Sequence, residues 1–313
     1  AVIRMISMAA KYFVEVAETE EPWDYGDCDD AVIAPLWLNR ETSLGEWRAW
    51  FDRGEMGGES GLEYWWGEPP RVPYDPAEYH AGWTVYLQTG MAMRRTEGWS
   101  LRLDASPLGY LATASHGHLD ALHLSIWNGG RALIIDPGTG GYYGAPRLRE
   151  HLTSWDAHNG PHFSNQPTPK RAGPFLWEDH HGRPRFDLGD PTEIRAEFDC
   201  GNAVMRRSVE RWDEGDGWQI SDTADNGRQF CVHWQVAPGA RVRELSWGCY
   251  LVSLGDSAFL LTVEGASEVE LGEAACSPRV RETASSPVIR VQSTETKAAL
   301  VTRILKQKKN GGQ

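Results

Sequence analysis

Histidine and aspartate residues are concentrated in one stretch of this sequence. His116 and His118 lie two residues apart in the segment HGHLD, Asp136 closes the apolar run RALIID, and His158 follows in WDAHNG. Two imidazoles and one carboxylate are a common ligand set for zinc, with a fourth position left for water. A histidine pair alone is more often a hydrogen-bonded or surface feature, so the case for a metal depends on what brings Asp136 and His158 close.

Strands and a turn must bring these side chains together. On a strand, a spacing of two would place His116 and His118 on one face, and Asp120 would continue that face. The runs LHLSIW and RALIID are separated by Asn-Gly-Gly, which predicts a β-hairpin. The hairpin would return Asp136 toward the histidine pair, and a loop would supply His158 as a third ligand.

The chain divides into a helical and a β-rich part. Apolar residues recur every three or four positions from Val2 to Val16, and similar runs predict helices up to about residue 75. Prolines between residues 69 and 76 predict a domain boundary. Residues 76–305 alternate short two-residue-period runs with turns, which predicts a large antiparallel β-sandwich in an α+β multidomain protein. The basic, polar residues 306–313 are predicted to be a disordered tail.

Composition excludes several classes of function. The net charge of -13 disfavours non-specific binding to nucleic acid or anionic membranes. Five cysteines without a CxxC spacing indicate neither a disulfide framework nor a thiolate metal site. The longest apolar runs are too short for a membrane span. Fifteen tryptophans indicate a large aromatic core or a carbohydrate cleft, because a flat indole matches the apolar face of a sugar ring.

The block from Ser115 to Asn159 resembles the central segment of heparinase II/III-like proteins. The shared elements are an HxHxD segment, a hydrophobic hairpin, a DPG turn followed by tyrosine, and an AHN loop, in this order. The segments LQTGMAMRRTEGWSLRLDASPLG, HWQVAPG and GDCDD also match, so the resemblance runs from about Asp24 to Pro238. It implies the end of an α/α toroid followed by antiparallel β-sheet domains.

The resemblance also implies an activity, the β-elimination of a uronic-acid-containing polysaccharide by a carbon-oxygen lyase. His118, Asp136 and His158 would then hold one zinc ion, mainly for structure. His116 would face the catalytic cleft, as the base or as a partner of the substrate carboxylate. Tyr142 or Tyr143 would shape the cleft or exchange protons, although packing below the hairpin is at least as frequent a role.

Substrate contacts are predicted for three further residues. Arg147 and Arg149 would pair with a uronate carboxylate, because guanidinium binds carboxylate in a bidentate manner, although a surface role is also common. Asn159 would orient His158 or donate to substrate. Asp120 would hydrogen-bond a ligand histidine.

The resemblance has one gap. The family's catalytic tyrosine, asparagine and histidine come from the toroid, and neither Tyr25 nor Tyr64 lies in a matching motif, so the sequence is expected to be a fragment or a divergent member. The alternative is a non-catalytic carbohydrate-binding or polysaccharide-assembly protein that keeps the zinc site. A zinc hydrolase is the third choice, because we find no glutamate placed as its base. The resemblance implies a bacterial protein in the periplasm or secreted from the cell, and a homodimer is compatible with it.

Overall fold

The computed structural model describes residues 78–87, 89–110, 112–226, 228–294 and 299–308. The predicted helical part, residues 1–75, therefore lies outside the described residues, as do the GDCDD motif, Tyr25 and Tyr64. Within the described ranges the chain forms 19 strands, one α-helix and one 3-10 helix. No described helix is long and apolar enough to cross a membrane.

The elements follow one another in a β-rich order. The strands are β1 Glu78–His80, β2 Trp83–Tyr86, β3 Met91–Thr96, β4 Trp99–Asp104, β5 Leu124–Asn128, β6 Arg131–Ile134, β7 Arg171–Gly173, β8 Leu176–Trp177, β9 Arg185–Asp187, β10 Ile194–Asp199, β11 Val204–Arg211, β12 Gly217–Ala224, β13 Cys231–Gln235, β14 Arg241–Ser246, β15 Cys249–Leu254, β16 Ser257–Glu264, β17 Ala266–Cys276, β18 Ala284–Ser293 and β19 Leu300–Lys306. Helix α1 is Pro146–Leu152, and the 3-10 helix is Trp155–Ala157.

The strands form four sheets in which neighbouring strands run antiparallel. One sheet has six strands in the order β1 to β6, and another has eight in the order β14-β15-β16-β19-β12-β11-β10-β9. Strands β13, β18 and β17 form a third sheet, and β7 pairs with β8. The predicted antiparallel β-rich part is therefore confirmed, because runs such as β10 and β11 bury every second residue as their alternation requires.

Side chains of the two large sheets share one hydrophobic core. Trp83 of the six-stranded sheet contacts Trp218 of the eight-stranded sheet edge to face, with ring centroids 6.2 Å apart. Trp99 contacts Phe259 across the same core at 5.8 Å. The interpretation of tryptophan as core is right for these residues, whereas Trp247 is 59% exposed.

The hairpin that carries Asp136 forms as predicted. Strands β5 and β6 pair with Asn128 opposite Arg131, and the two-residue loop consists of Gly129 and Gly130 with φ of 58° and 74°. Positive φ at both loop positions is the requirement of a type I′ turn, which explains the two glycines.

Other local predictions were wrong. The segment HGHLD is not a strand, and His116 takes a left-handed backbone conformation with φ of 60°. Helix α1 was not predicted; it is short and begins at Pro146, a residue suited to the first turn. Strand β14 was missed because it is almost wholly exposed and shows no alternation. Strand β19 continues to Lys306, so the tail does not begin at that residue, and 309–313 lie outside the described residues.

Candidate metal centre and exposed histidine face

Three separate segments meet at a buried cluster. His118 belongs to the irregular segment between β4 and β5, Asp136 follows β6, and His158 ends the 3-10 helix. One ligand atom of each residue lies within 4.8 Å of those of the other two, and each residue is only 1% exposed. We call His118, Asp136 and His158 the inner cluster. The fold thus brings the three predicted ligands together.

The inner cluster has the orientation that a metal requires. Nδ1 of His158 lies 2.8 Å from the carbonyl oxygen of Ser154 and donates to it, so Nε2 carries the lone pair. This Nε2 is buried without a hydrogen bond in the described part of the chain and lies 3.6 Å from Oδ2 of Asp136. The other oxygen of Asp136 accepts a hydrogen bond from the amide of Gly138. A buried lone pair facing a carboxylate fits a bound cation.

Burial also sets the protonation state of the ring. Desolvation lowers the pKa of His158 to about 4, against a partial opposing effect of the Ser154 hydrogen bond. The imidazole is therefore neutral near pH 7, which is the form that ligates metal.

Arg149 lies beside the inner cluster and does not reach solvent. Its Nη1 is 3.2 Å from Nε2 of His118 and 3.2 Å from the carbonyl oxygen of Thr139, while Nε donates to Pro174. Arg149 is 3% exposed, which argues against the predicted contact with substrate. Arg147, on the same helix, is exposed, and its contact with substrate stays a prediction.

Two more polar residues surround the inner cluster. Asp120 is buried, and its pKa is raised well above the usual range by burial and then by the charges of Asp104 and Asp136. A hydrogen bond between a ligand histidine and Asp120, in which the imidazole N–H would donate to the carboxyl group, stays a prediction. His123, which the sequence did not single out, packs its ring 5.5 Å from that of His158. Burial lowers the pKa of His123 well below the usual range, so it is neutral as well.

Asn159 fixes the loop that presents His158. Its Oδ1 accepts from the amide of Leu124 and its Nδ2 donates to the carbonyl of Leu124, both at 2.8 Å. Arg207 of β11 donates to Oδ1 of Asn159 at 2.8 Å and to its carbonyl oxygen at 2.7 Å. Asn159 is 1% exposed, which argues against donation to substrate.

Sequence reasoning missed the ion pair behind Asn159. Arg207 and Asp222 are both fully buried and form a bidentate pair at 2.7 and 2.9 Å. The signal was present, because Arg207 lies between Met205 and Val209 at the inward positions of an alternating strand. A charge at an inward position indicates a buried partner.

His116 faces the opposite way from His118. Its side chain is exposed, its ring stacks on Phe175 with centroids 5.2 Å apart, and its amide donates to the carbonyl of Phe175. The hydroxyl of Tyr142 lies 3.5 Å from Nδ1 of His116, and the Tyr142 ring lies under the guanidinium of Arg149 at 5.1 Å. Tyr143 is 78% exposed. We call His116, Tyr142 and Phe175 the histidine face.

A family model and several solved structures match this chain. The family model described as "Heparinase II/III-like, C-terminal" matches residues 80–310. A solved heparinase III gene product is 17% identical with a TM-score of 0.66, over 96% of this chain and 46% of that one. A crystal structure of heparinase III is 15% identical with a TM-score of 0.64, over 95% and 48%. The heparan sulfate lyase HepC from Pedobacter heparinus is 14% identical with a TM-score of 0.60, over 95% and 46%.

These likenesses have a defined extent. At such identities the solved structures show a shared fold, and the chain spans about half the length of the solved structures it matches. A comparison with curated proteins finds no match.

Proposed function

The chain belongs to the heparinase II/III-like C-terminal family, and we propose that it is the β-sheet part of a polysaccharide lyase that cleaves a uronic-acid-containing polysaccharide by β-elimination. The observation that carries the proposal is the histidine face. It holds an exposed imidazole at a fixed position, beside a phenol and two residues along the chain from His118 of the buried inner cluster.

The fixed position comes from contacts on several sides. Stacking on Phe175 and the amide hydrogen bond to its carbonyl hold the ring and backbone of His116. Gly117 separates the outward His116 from the inward His118, and a side chain there would collide with the amide of Gly109. Arg149 contacts both Tyr142 and His118, so the guanidinium links the histidine face to the inner cluster.

The reaction needs proton transfers that these residues can make. A base takes the proton from C5 of the uronate, the C4–O bond to the leaving sugar breaks, a C4=C5 double bond forms, and an acid protonates the leaving oxygen. His116 serves as the base or donates to the substrate carboxylate, which stabilises the charge that develops on it. Tyr142, whose hydroxyl lies 3.5 Å from Nδ1 of His116, would exchange a proton with it, and the exposed Arg147 would pair with a uronate carboxylate.

His118, Asp136 and His158 would hold one zinc ion in this proposal. Its charge would tie together the segment after β4, the end of β6 and the 3-10 helix, which is a structural role. All three ligands are buried, so the ion would support the histidine face from behind.

The substrate class follows from the relatives. Solved relatives are named heparinase III and heparan sulfate lyase, which supports an acidic glycosaminoglycan. The net charge of -13 weighs against a uniformly sulfated polymer unless the cleft is locally basic. A periplasmic or secreted location in a bacterium accompanies this proposal.

The test is product formation from uronic-acid polymers. The protein is incubated with heparan sulfate, hyaluronan and alginate, and the ultraviolet absorbance of unsaturated uronate is followed. We expect product from at least one polymer, strongly reduced by His116→Ala and retained by His180→Ala, an exposed histidine away from the histidine face.

The second candidate is a non-catalytic carbohydrate-binding or polysaccharide-assembly protein, and the exposed ring of Trp247 supports it because a flat indole matches the apolar face of a sugar ring. Binding of a polymer that is lost in His116→Ala, without unsaturated product, would replace the lyase by this candidate. Equal product formation by wild type and His116→Ala would remove His116 from the mechanism.

A further inference from the structure

A second group of metal-ligating side chains also includes a residue of the 3-10 helix. Asp156 is in that helix, His162 follows four residues after its C-cap His158, and His233 is in β13. One ligand atom of each lies within 4.8 Å of those of the other two. We call Asp156, His162 and His233 the outer cluster. Neither the motif resemblance nor the proposed lyase chemistry uses it.

Both histidines of the outer cluster are oriented by backbone carbonyls. Nδ1 of His162 lies 3.0 Å from the carbonyl oxygen of Gly160, and Nδ1 of His233 lies 2.8 Å from that of Asp156. Each Nδ1 therefore carries a proton, and each Nε2 is left as the atom for a ligand. Histidines that bind metal in proteins almost always donate their other nitrogen to a carbonyl or carboxylate in this way.

The rings of His162 and His233 both lie close to the carboxylate of Asp156. Their planes are perpendicular with centroids 5.0 Å apart, and Nε2 of His162 lies 3.1 Å from Oδ1 of Asp156. His162 is 1% exposed, whereas the Asp156 side chain is 69% exposed. The outer cluster thus combines one rigid buried ligand with one accessible carboxylate, and it leaves solvent a coordination position.

The scaffold of the outer cluster is fixed from both sides. The amides and carbonyls of His162 and Cys231 pair as an isolated antiparallel bridge at 3.0 and 2.7 Å, which ties the loop to β13 two residues from His233. The nearby cation Arg290 is 4.0 Å from Glu270 and donates to the carbonyl of Glu273.

We propose that Asp156, His162 and His233 form a second zinc site, open to solvent, that clamps the 3-10 helix to strand β13. Two imidazole nitrogens and one carboxylate are a ligand set that zinc accepts with water in the fourth position. A simple ion pair is the competing arrangement. The ion pair would require a proton on Nε2 of His162 in addition to the one on Nδ1. In the zinc site, the metal would bind Nε2 in place of that proton.

The experiment measures zinc stoichiometry in the full chain, so it does not depend on lyase activity. Protein stripped with a chelator is titrated with zinc against a chromophoric competitor, and cobalt is used in parallel for its visible absorption. The variants are His233→Ala and Asp156→Asn, with His151→Gln as the matched control. His151 lies near Asp156 but belongs to neither cluster.

We expect two equivalents of zinc in wild type and in His151→Gln, and one equivalent in His233→Ala and in Asp156→Asn. The cobalt spectrum should lose one component in the same two variants. Equal stoichiometry in all four proteins would overturn the second site. If the inner cluster does not bind zinc, the result is different: wild type would bind one equivalent of zinc, and both His233→Ala and Asp156→Asn would bind none.

Discussion

The inner and outer clusters use the same ligand types, and each includes one residue of a short 3-10 helix or its C-cap. Residues 118, 136 and 158 of the inner cluster come from 41 consecutive positions, and all three are 1% exposed. The outer cluster spans 77 residues between Asp156 and His233, and its carboxylate is exposed. The inner cluster is therefore detectable from a local sequence motif. The outer cluster forms only because the loop that carries His162 pairs with strand β13.

The two clusters also differ in what surrounds them. The inner cluster is enclosed by Asp120, His123 and Arg149, and Arg207 anchors the adjacent Asn159 to the eight-stranded sheet. The outer cluster has water on one side. Disturbing the inner cluster should therefore affect the stability of the fold, and disturbing the outer cluster should mainly affect metal binding.

The largest effect is expected from Arg207→Met. It leaves the carboxylate of Asp222 buried without its partner, so the free energy of unfolding should fall by about 3–5 kcal/mol. Urea unfolding measures this. Arg206→Met, on the same strand, removes a partly exposed ion pair with Glu197 and should cost less than about 1 kcal/mol. Similar losses in both variants would show that the inner cluster is not anchored through Arg207.

The free energy of unfolding should depend on pH through the buried His158 of the inner cluster. Without metal, His158 takes up a proton near its usual pKa of 6.5 when unfolded but only near pH 4 when folded. Between these values the unfolded state binds more protons, so lowering the pH removes about 3 kcal/mol of stability. Unfolding free energies in chelator should fall in wild type and in His180→Asn, and less steeply in His158→Asn. Parallel slopes in all three proteins would contradict a neutral buried His158.

Zinc should stabilise the fold through each cluster separately. Free zinc at about 100 times the dissociation constant of a site adds about 2.7 kcal/mol to the folded state. Thermal melting with zinc and with chelator measures the shift. Asp136→Asn removes the ligand charge of the inner cluster but keeps an oxygen that accepts from the amide of Gly138. Asp156→Asn removes the ligand charge of the outer cluster. Each variant should lose part of the shift, and a full shift in Asp136→Asn would exclude the inner cluster as a zinc site.

Sequence predicted the inner cluster because its supporting elements are local. The hairpin of β5 and β6 follows from alternation and the Gly129-Gly130 turn, and that turn fixes where Asp136 lies. The opposed directions of His116 and His118 were not predictable by strand periodicity. They depend on the left-handed backbone of His116 and on the close approach of Gly117 to Gly109, which are tertiary features.

The outer cluster was beyond sequence reasoning for a related reason. His233 was visible only as one residue of a strand, and its neighbour across the fold is set by the bridge between His162 and Cys231. Arg207 had a detectable signal, an inward charge in an alternating strand, but its partners Asp222 and Asn159 are known only from the fold.

The smallest effect on stability is expected from His116→Asn. The side chain is exposed, and asparagine tolerates the left-handed backbone at φ of 60°, so the free energy of unfolding should change by no more than about 0.5 kcal/mol. Polymer cleavage or binding should nevertheless be lost, because the imidazole above Phe175 is gone. Unfolding curves and the uronate assay on the same preparation measure both. A variant that loses stability but keeps its activity would place His116 with the structural residues.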